Sequence, residues 1–241
     1  MCTLIAMLGT VPGYPLVVAM NRDEFYDRPS LPPELREGAR RIVCPRDERA
    51  DGTWIGVNAE GLVAAVSNRF AGPPDPQARS RGLLCLESLA RRNVTEAAMF
   101  ASEAAETAAS YNPFNLFLAD RNRIACTGHE GSTWTVHGMR GLNVLTNAGL
   151  NAGDPRALWV IELLGSTSFD SLDTAVAAMR RALADHTDAG GRAICHHGNK
   201  MGTRSQTTIA LSEAGWGRNR LWYAEGPPCT AKAADLSDRF R

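Results

Sequence analysis

Three groups of residues in this sequence could attack, support and stabilise a reacting carbonyl. The second residue is a cysteine, the polar cluster Asn21-Arg22-Asp23-Glu24 closes an apolar run, and Asn68 and Asn147 close two later ones. A thiolate is the nucleophilic form of cysteine, and an ordinary thiol with a pKa of about 8.5 is only partly ionised at neutral pH. If Met1 is removed, Cys2 also carries an α-amine with a pKa of about 7.7–8.0, a near-neutral base on the same residue. Methionine trimming needs a small second residue, and cysteine qualifies. Asp23 could accept hydrogen bonds from that amine. Arg22 could stabilise the thiolate or grip a carboxylate or phosphate with two parallel bonds, with Asn21 beside it as a second substrate contact. An asparagine amide with neighbouring backbone N–H groups is what a tetrahedral oxyanion requires, which makes Asn68 and Asn147 candidates. Arg204, in Gly202-Thr203-Arg204-Ser205, enters an apolar strand and could contact the nucleophile or cap a sheet edge. Each residue also has a plainer reading: a core cysteine, a salt-bridged turn, and turn asparagines at strand ends.

The elements that would have to bring these groups together can be read from the pattern. Residues 3–8 and 16–20 predict two buried strands joined by a Gly/Pro turn, a hairpin that returns the polar cluster to Cys2. Residues 28–52, rich in Pro, Arg, Glu and Asp, read as a long surface loop, and loops of that length often lie over a site. A second hairpin follows at 53–68, turning at Asn58-Ala59-Glu60-Gly61. Helices are predicted over 83–91 and from Asn93 to about residue 110, then strands at 114–120, 124–129, 134–137 and 142–146. Asp154-Pro155 starts a third helix to about 164, a fourth spans 170–183, and strands at 203–211 and 220–224 close the chain. Hairpins alternating with helix pairs, without βαβ units, predict an α+β fold: a four-layer αββα sandwich of two antiparallel sheets covered by helices, one domain over 1–241.

Composition narrows the function. The chain has 241 residues, 44 % hydrophobic, and its 26 basic residues balance 26 acidic ones. No basic excess marks a nucleic-acid or anionic-membrane surface. No run approaches the roughly 20 apolar residues of a membrane span. The apolar start lacks a basic leader segment and is broken by Pro12, Gly13 and Pro15, so it does not read as a secretory signal. Six scattered cysteines with no CxxC pair read as reduced thiols in a cytoplasmic protein. No metal is expected: His196 and His197 would point to opposite faces of a strand, and His129 and His137 have no ligand partners at recognisable spacing. Cys195-His196 could ligate haem iron but has no attachment motif.

Several motifs taken together resemble the NRDE-motif family, which includes the transport-and-Golgi-organisation protein of eukaryotes. They are Met1-Cys2, Asn21-Arg22-Asp23-Glu24-Phe25 with Arg28-Pro29, Gly52-Thr53-Trp54-Ile55-Gly56, Ser67-Asn68, Arg81-Gly82, Tyr111-Asn112-Pro113-Phe114-Asn115-Leu116 and Gly202-Thr203-Arg204-Ser205. The resemblance spans nearly the whole chain and implies the N-terminal-nucleophile (Ntn) hydrolase fold. More distantly the chain is similar to cysteine Ntn amidases, the conjugated bile-salt hydrolases and penicillin V acylases. On that similarity Cys2 matches the nucleophile, Asp23 its supporting aspartate, Asn68 and Asn147 the oxyanion asparagines, and Arg204 the late arginine near the thiol. An arginine of those amidases is replaced here by Met20. The implied activity is hydrolysis of a non-peptide C–N amide bond or a thioester, with a small amide, thioester or acyl compound as substrate and no cofactor. The alternative is a non-catalytic haem- or acyl-lipid-binding protein on the same scaffold, since a fold does not dictate a function.

Overall fold

The structure is a computed structural model that describes residues 2–107, 111–165, 167–188 and 190–241. The chain starts with the expected hairpin. Strands β1 (Thr3–Val11) and β2 (Tyr14–Phe25) pair antiparallel around Pro12-Gly13, where Gly13 takes a φ of 73° that a side chain would resist. Both faces of β1 are covered, which is why its sequence is a continuous apolar run. Leu4, Ala6 and Leu8 face one layer of core, and Ile5, Met7 and Val11 the other.

Strands β3 (Ser30–Arg36) and β4 (Ile42–Asp47) follow. They correct the expectation of a surface loop over 28–52. Pro32 and Pro33 fall where the β3–β4 register shifts between Leu31 and Glu34, so they break the alternation that would have revealed a strand. Proline is tolerated there because β3 is the edge of its sheet. Strands β5 (Ile55–Asn58) and β6 (Val63–Asn68) form the second hairpin, closed by Asn58. The buried Asn58 side chain accepts from Glu60 N and Leu62 N and donates to the carbonyls of Leu89 and Arg91.

Helices α1 (Arg81–Leu89) and α2 (Val94–Thr107) come next, α1 capped by the Ser80 hydroxyl accepting from Gly82 N. The stretch 108–110, where the sequence pattern carries α2 onward, lies outside the described residues. Strands β7 (Phe114–Ala119), β8 (Ile124–His129), β9 (Thr133–His137) and β10 (Gly141–Leu145) match the predicted ones within a residue or two. Helix α3 (Pro155–Leu164) has Asp154 as its cap and proline in its first turn, and α4 (Leu172–Leu183) starts from a Ser171/Thr174 capping box. Strands β11 (Met201–Leu211), β12 (Arg220–Glu225) and β13 (Ala234–Asp235) end the chain.

The strands form two antiparallel sheets, ordered β10-β1-β2-β11-β12-β13 and β3-β4-β5-β6-β7-β8-β9. One apolar layer, including Leu4, Met20, Trp54, Phe117 and Ile209, lies between the sheets. A second, with Ile5, Val160, Met179 and Ala210, lies between the first sheet and α3 and α4. A third, with Leu84, Leu89, Ala101 and Leu116, lies under α1 and α2. Three apolar layers between four layers of secondary structure make the αββα sandwich that the pattern predicts. Among the described residues, no helix is long and apolar enough to cross a membrane.

Candidate active site

Five strand ends converge at one end of the sandwich: the start of β1 and of β11, and the ends of β2, β6 and β10. Antiparallel pairing does this. Thr3 pairs with Asn21 and Leu4 with Leu145, so continuing the two ladders sets Cys2 opposite Arg22 on one side and Asn147 on the other.

The Cys2 sulfur accepts a hydrogen bond from Asp23 N at 3.5 Å and lies 3.9 Å from the Asp23 carbonyl oxygen. Burial pushes the Cys2 thiol up from its ordinary value, the carboxylates of Asp23 and Glu24 add to the rise, and the Asp23 N–H opposes it. This thiol therefore needs a base close by to act as a nucleophile. The Asp23 carboxylate, nearly buried, accepts from the Thr203 hydroxyl at 2.7 Å and lies 3.8 Å from His196 Nε2. Thr203 in turn accepts from His196 N at 2.9 Å. Burial holds the His196 imidazole below its ordinary range, against the pull of Asp23. Sequence reasoning weighed His196 only as a metal ligand and missed this contact, because it depends on a loop returning across 173 positions of chain.

Arg22 shares the inter-sheet face with Met20, as its spacing suggests. Its guanidinium lies 4.1 Å from the centre of the Trp54 ring, donates to Asp47 Oδ2 at 3.1 Å and to Ser30 Oγ at 3.3 Å, and is 3.9 Å from Glu24. Arg28 donates to the same Asp47 oxygen at 2.6 Å. Burial raises the Asp47 carboxyl, but the bond and charge of Arg28, the Ala50 N–H and the charge of Arg22 outweigh it and hold it below its ordinary value. Arg22 is thus a fixed, internally paired cation. Burial lowers both Arg22 and Arg81, and a charge on the Cys2 sulfur counters this in each, so two guanidiniums stand within electrostatic reach of the thiol. Arg81 was visible as part of a motif, but nothing in its spacing tied it to Cys2.

Asn68 and Asn147 are brought together from opposite sheets. Asn147 Nδ2 donates to the Asn68 carbonyl at 2.6 Å, and Ser67 Oγ donates to the Thr146 carbonyl at 3.2 Å. Asn115, fully buried, donates to the carbonyls of both Thr146 and Asn147 at 3.2 Å and stitches the two sheets. Arg156, in the first turn of α3, donates to Asn147 Oδ1 at 3.4 Å and to Thr3 Oγ1 at 3.5 Å, bracing the amide next to β1. The Asn68 side chain is exposed at the mouth of the site.

One expected residue is placed differently, and another takes the second of its two readings, the cap. Asn21 is fully buried on the helix side of β2, donating to the carbonyls of Leu183 and Ile194. That corrects the expectation of a substrate contact: alternation turns residue 21 to the opposite face from residue 22. Arg204 is the extra residue of a bulge between Thr203 and Ser205, and its guanidinium donates to the carbonyls of Phe25 and Tyr26. It caps the end of β2, and among the described residues it makes no hydrogen bond to Cys2.

With this geometry in place, comparison with known proteins gives a family. The model of the family described as Transport and Golgi organisation 2 matches residues 1–186. The chain belongs to that family. A Transport and Golgi organization protein 2 homolog from Homo sapiens is 34 % identical over 132 residues, 54 % of this chain and 45 % of the human protein. The match therefore spans about half the length of that relative, and the mouse homolog gives the same share. The homolog from Bos taurus is 27 % identical over 234 residues, 84 % of each chain. Among solved structures, an N-acylethanolamine-hydrolyzing acid amidase ortholog from Caenorhabditis elegans superposes with a TM-score of 0.58 at 13 % identity, covering 87 % of this chain and 92 % of that one. Penicillin V acylase from Agrobacterium tumefaciens gives a TM-score of 0.58 at 13 % identity, over 98 % and 86 %. These neighbours are Ntn hydrolases, and the fold is theirs.

Proposed function

We propose that this protein is an N-terminal-nucleophile hydrolase of a non-peptide amide or a thioester, with Cys2, exposed by removal of Met1, as nucleophile. The observation that carries the reading is the convergence of Cys2 with the anchored Asp23 and the Asn68–Asn147 pair. The Cys2 sulfur attacks the substrate carbonyl carbon, and a C–S bond forms as the C=O electron pair moves onto oxygen. The α-amine takes the thiol proton, which a thiol raised by burial does not release unaided. Asp23 orients that amine, and Asn68 and Asn147 hold the oxyanion. Collapse breaks the bond to the leaving nitrogen or sulfur, which takes the proton back from the amine. Water then cleaves the acyl-thioester and regenerates Cys2. Phe25, Tyr26 and Met201, exposed together where β2 ends and β11 begins, and Phe70 beyond Asn68, suit the apolar portion of an acyl substrate. A cytoplasmic setting, where thiols stay reduced, suits the free Cys2.

A second reading is favoured by one feature. Met20 lies buried where the amidases that the sequence resembles carry an arginine, and Asp47 already neutralises Arg22. On that reading the protein is a non-catalytic carrier of haem or an acyl lipid.

Intact-mass measurement followed by turnover assays separates the two. Loss of Met1, hydrolysis of acyl amides or thioesters, and a Cys2→Ala variant that folds but is inactive are expected. Retention of Met1, or unchanged turnover in Cys2→Ala, would refute the mechanism. Saturable haem binding without turnover would favour the carrier.

A further inference from the structure

A second cluster of reactive side chains lies behind the site, on the segment joining α4 to β11. His186 Nε2 lies 3.0 Å from His197 Nε2, with the two rings stacked at 5.1 Å. Cys195 Sγ lies 3.7 Å from both Cys229 Sγ and His197 Nε2, and Cys229 Sγ is 3.3 Å from His197 Nε2. All four ligand atoms fall within 4.8 Å of one another.

Hydrogen bonding and a disulfide each explain only part of this. A disulfide would join the two sulfurs at about 2.05 Å and leave the paired imidazoles without a purpose. A tetrahedral metal accounts for all four. With metal–sulfur bonds of about 2.3 Å and metal–nitrogen bonds of about 2.05 Å, a tetrahedron has edges of about 3.8 Å between sulfurs, 3.6 Å between sulfur and nitrogen, and 3.3 Å between nitrogens. The four distances above, 3.0 Å between nitrogens, 3.3 and 3.7 Å between sulfur and nitrogen and 3.7 Å between sulfurs, lie within a few tenths of an ångström of those edges, and the two His186–sulfur pairs fall within 4.8 Å. Two thiolates and two imidazoles are also the donor set that selects zinc over the hard, oxygen-seeking cations.

We propose that His186, Cys195, His197 and Cys229 bind one Zn2+ in a closed structural site. The ion would replace the two thiol protons with no change of oxidation state, and the two thiolates would balance its charge. Four protein ligands leave no open position for water, so the site fixes chain and does not hydrolyse.

What it fixes is the candidate active site. Cys195 and His197 flank His196, whose ring faces Asp23 and whose backbone N–H is held by Thr203, the residue that also donates to the Asp23 carboxylate. The backbone N–H groups of Ile194 and Cys195 are both held by the Asp185 carbonyl, next to His186. Cys229 reaches in from the connection after β12. A metal there would clamp the end of α4, the approach to β11 and the 226–233 connection together, holding His196 against Asp23. Spacing alone hides the site: one residue separates Cys195 from His197, and Cys229 lies far along the chain. The expectation that adjacent histidines do not share a metal fits His196, which turns to Asp23, while His197 turns to the cluster.

The test uses the full chain, purified under reducing conditions without a polyhistidine tag. Elemental analysis after zinc loading and exhaustive dialysis is expected to find about one zinc per chain. Cobalt substitution of the wild type is expected to give intense visible bands of a tetrahedral site and thiolate-to-cobalt charge transfer in the near ultraviolet. Cys229→Ser and His186→Ala are each expected to lose the stoichiometric zinc and the charge-transfer or visible intensity of the missing ligand. His186 is exposed, so its variant tests the site even where Cys229→Ser does not fold. Wild-type protein that retains no zinc, a weak six-coordinate cobalt spectrum, or a Cys195–Cys229 disulfide in the reduced preparation would overturn the proposal. Because metal content and spectrum are read without substrate, failure here is distinguishable from failure of the hydrolase reading.

Discussion

Substituting Asp47 by Asn tests the charge network that holds Arg22 opposite Cys2. The change keeps an oxygen for the N–H groups of Arg49 and Ala50, each now at 3.0 Å, and replaces Oδ2, the charged acceptor shared by Arg22 and Arg28, with an amide NH2 that cannot accept from either. Arg22 is almost fully buried, so it is left as a desolvated cation without its carboxylate. Removing one partner of a buried ion pair costs about 3–5 kcal/mol. Glu24, 3.9 Å from Arg22 and 3.6 Å from Arg28, together with the Trp54 ring, offsets part of the loss, which points to the lower end, about 3 kcal/mol. That is a factor of more than about 100 in the folding equilibrium. With a urea slope of about 3 kcal/mol/M, the midpoint is expected to fall by about 1 M, read by tryptophan fluorescence with Trp54 as the local reporter. The pH dependence has a definite sign. The folded Asp47 pKa lies below its ordinary 3.8, so the pair's stabilisation is complete above that value and drains away as pH falls through the lowered one. The gap between wild type and Asp47→Asn is therefore expected to be constant above pH 5 and to close in stronger acid. Arg22→Met combined with Asp47→Leu is expected to be less damaging than the two single changes added together. A loss under about 1 kcal/mol, the scale of an exposed pair, or a gap unchanged in acid would refute the account.

Three further outcomes follow from specific contacts. Asn58→Ala removes four hydrogen bonds at a buried turn and is expected to destabilise by about 3 kcal/mol or more, measured by chemical denaturation, because it strands backbone groups of the β5–β6 turn and of the C-terminal end of α1. Gly52→Ala would place a Cβ 2.3 Å from the Gly82 carbonyl carbon, backbone against backbone; a melting temperature lowered by several degrees is expected, reflecting about 1–3 kcal/mol of overpacking. Under the hydrolase reading, Asn147→Ala is expected to lower kcat by about 100- to 1000-fold with KM little changed, the signature of an interaction made in the transition state. A raised KM with kcat unchanged would assign Asn147 to substrate binding instead.

Much of this architecture could be read locally. Continuous apolar runs predict strands with both faces covered, Asp154-Pro155 marks a helix start, and Pro12-Gly13 returns the polar cluster to Cys2; each rests on neighbours in sequence, where hydrophobic period and turn chemistry act. The same local logic places Arg22 on the face of Met20. It misses β3 and β4, because paired prolines at an edge bulge erase the alternation. What depended on tertiary structure was the company each residue keeps. Asn21 and Arg22 are adjacent, yet one braces a helix and the other pairs with Asp47 under Trp54, because burial against a particular layer decides which polar group meets a partner. Asn68 and Asn147 look alike in sequence, but only the stacking of two sheets through Asn115 makes them neighbours. His196, Arg81 and Arg156, and the four metal-ligand candidates beyond them, carry no mark in spacing at all. Their contacts join positions far apart in the chain, and distance along a sequence says little about distance across a folded core.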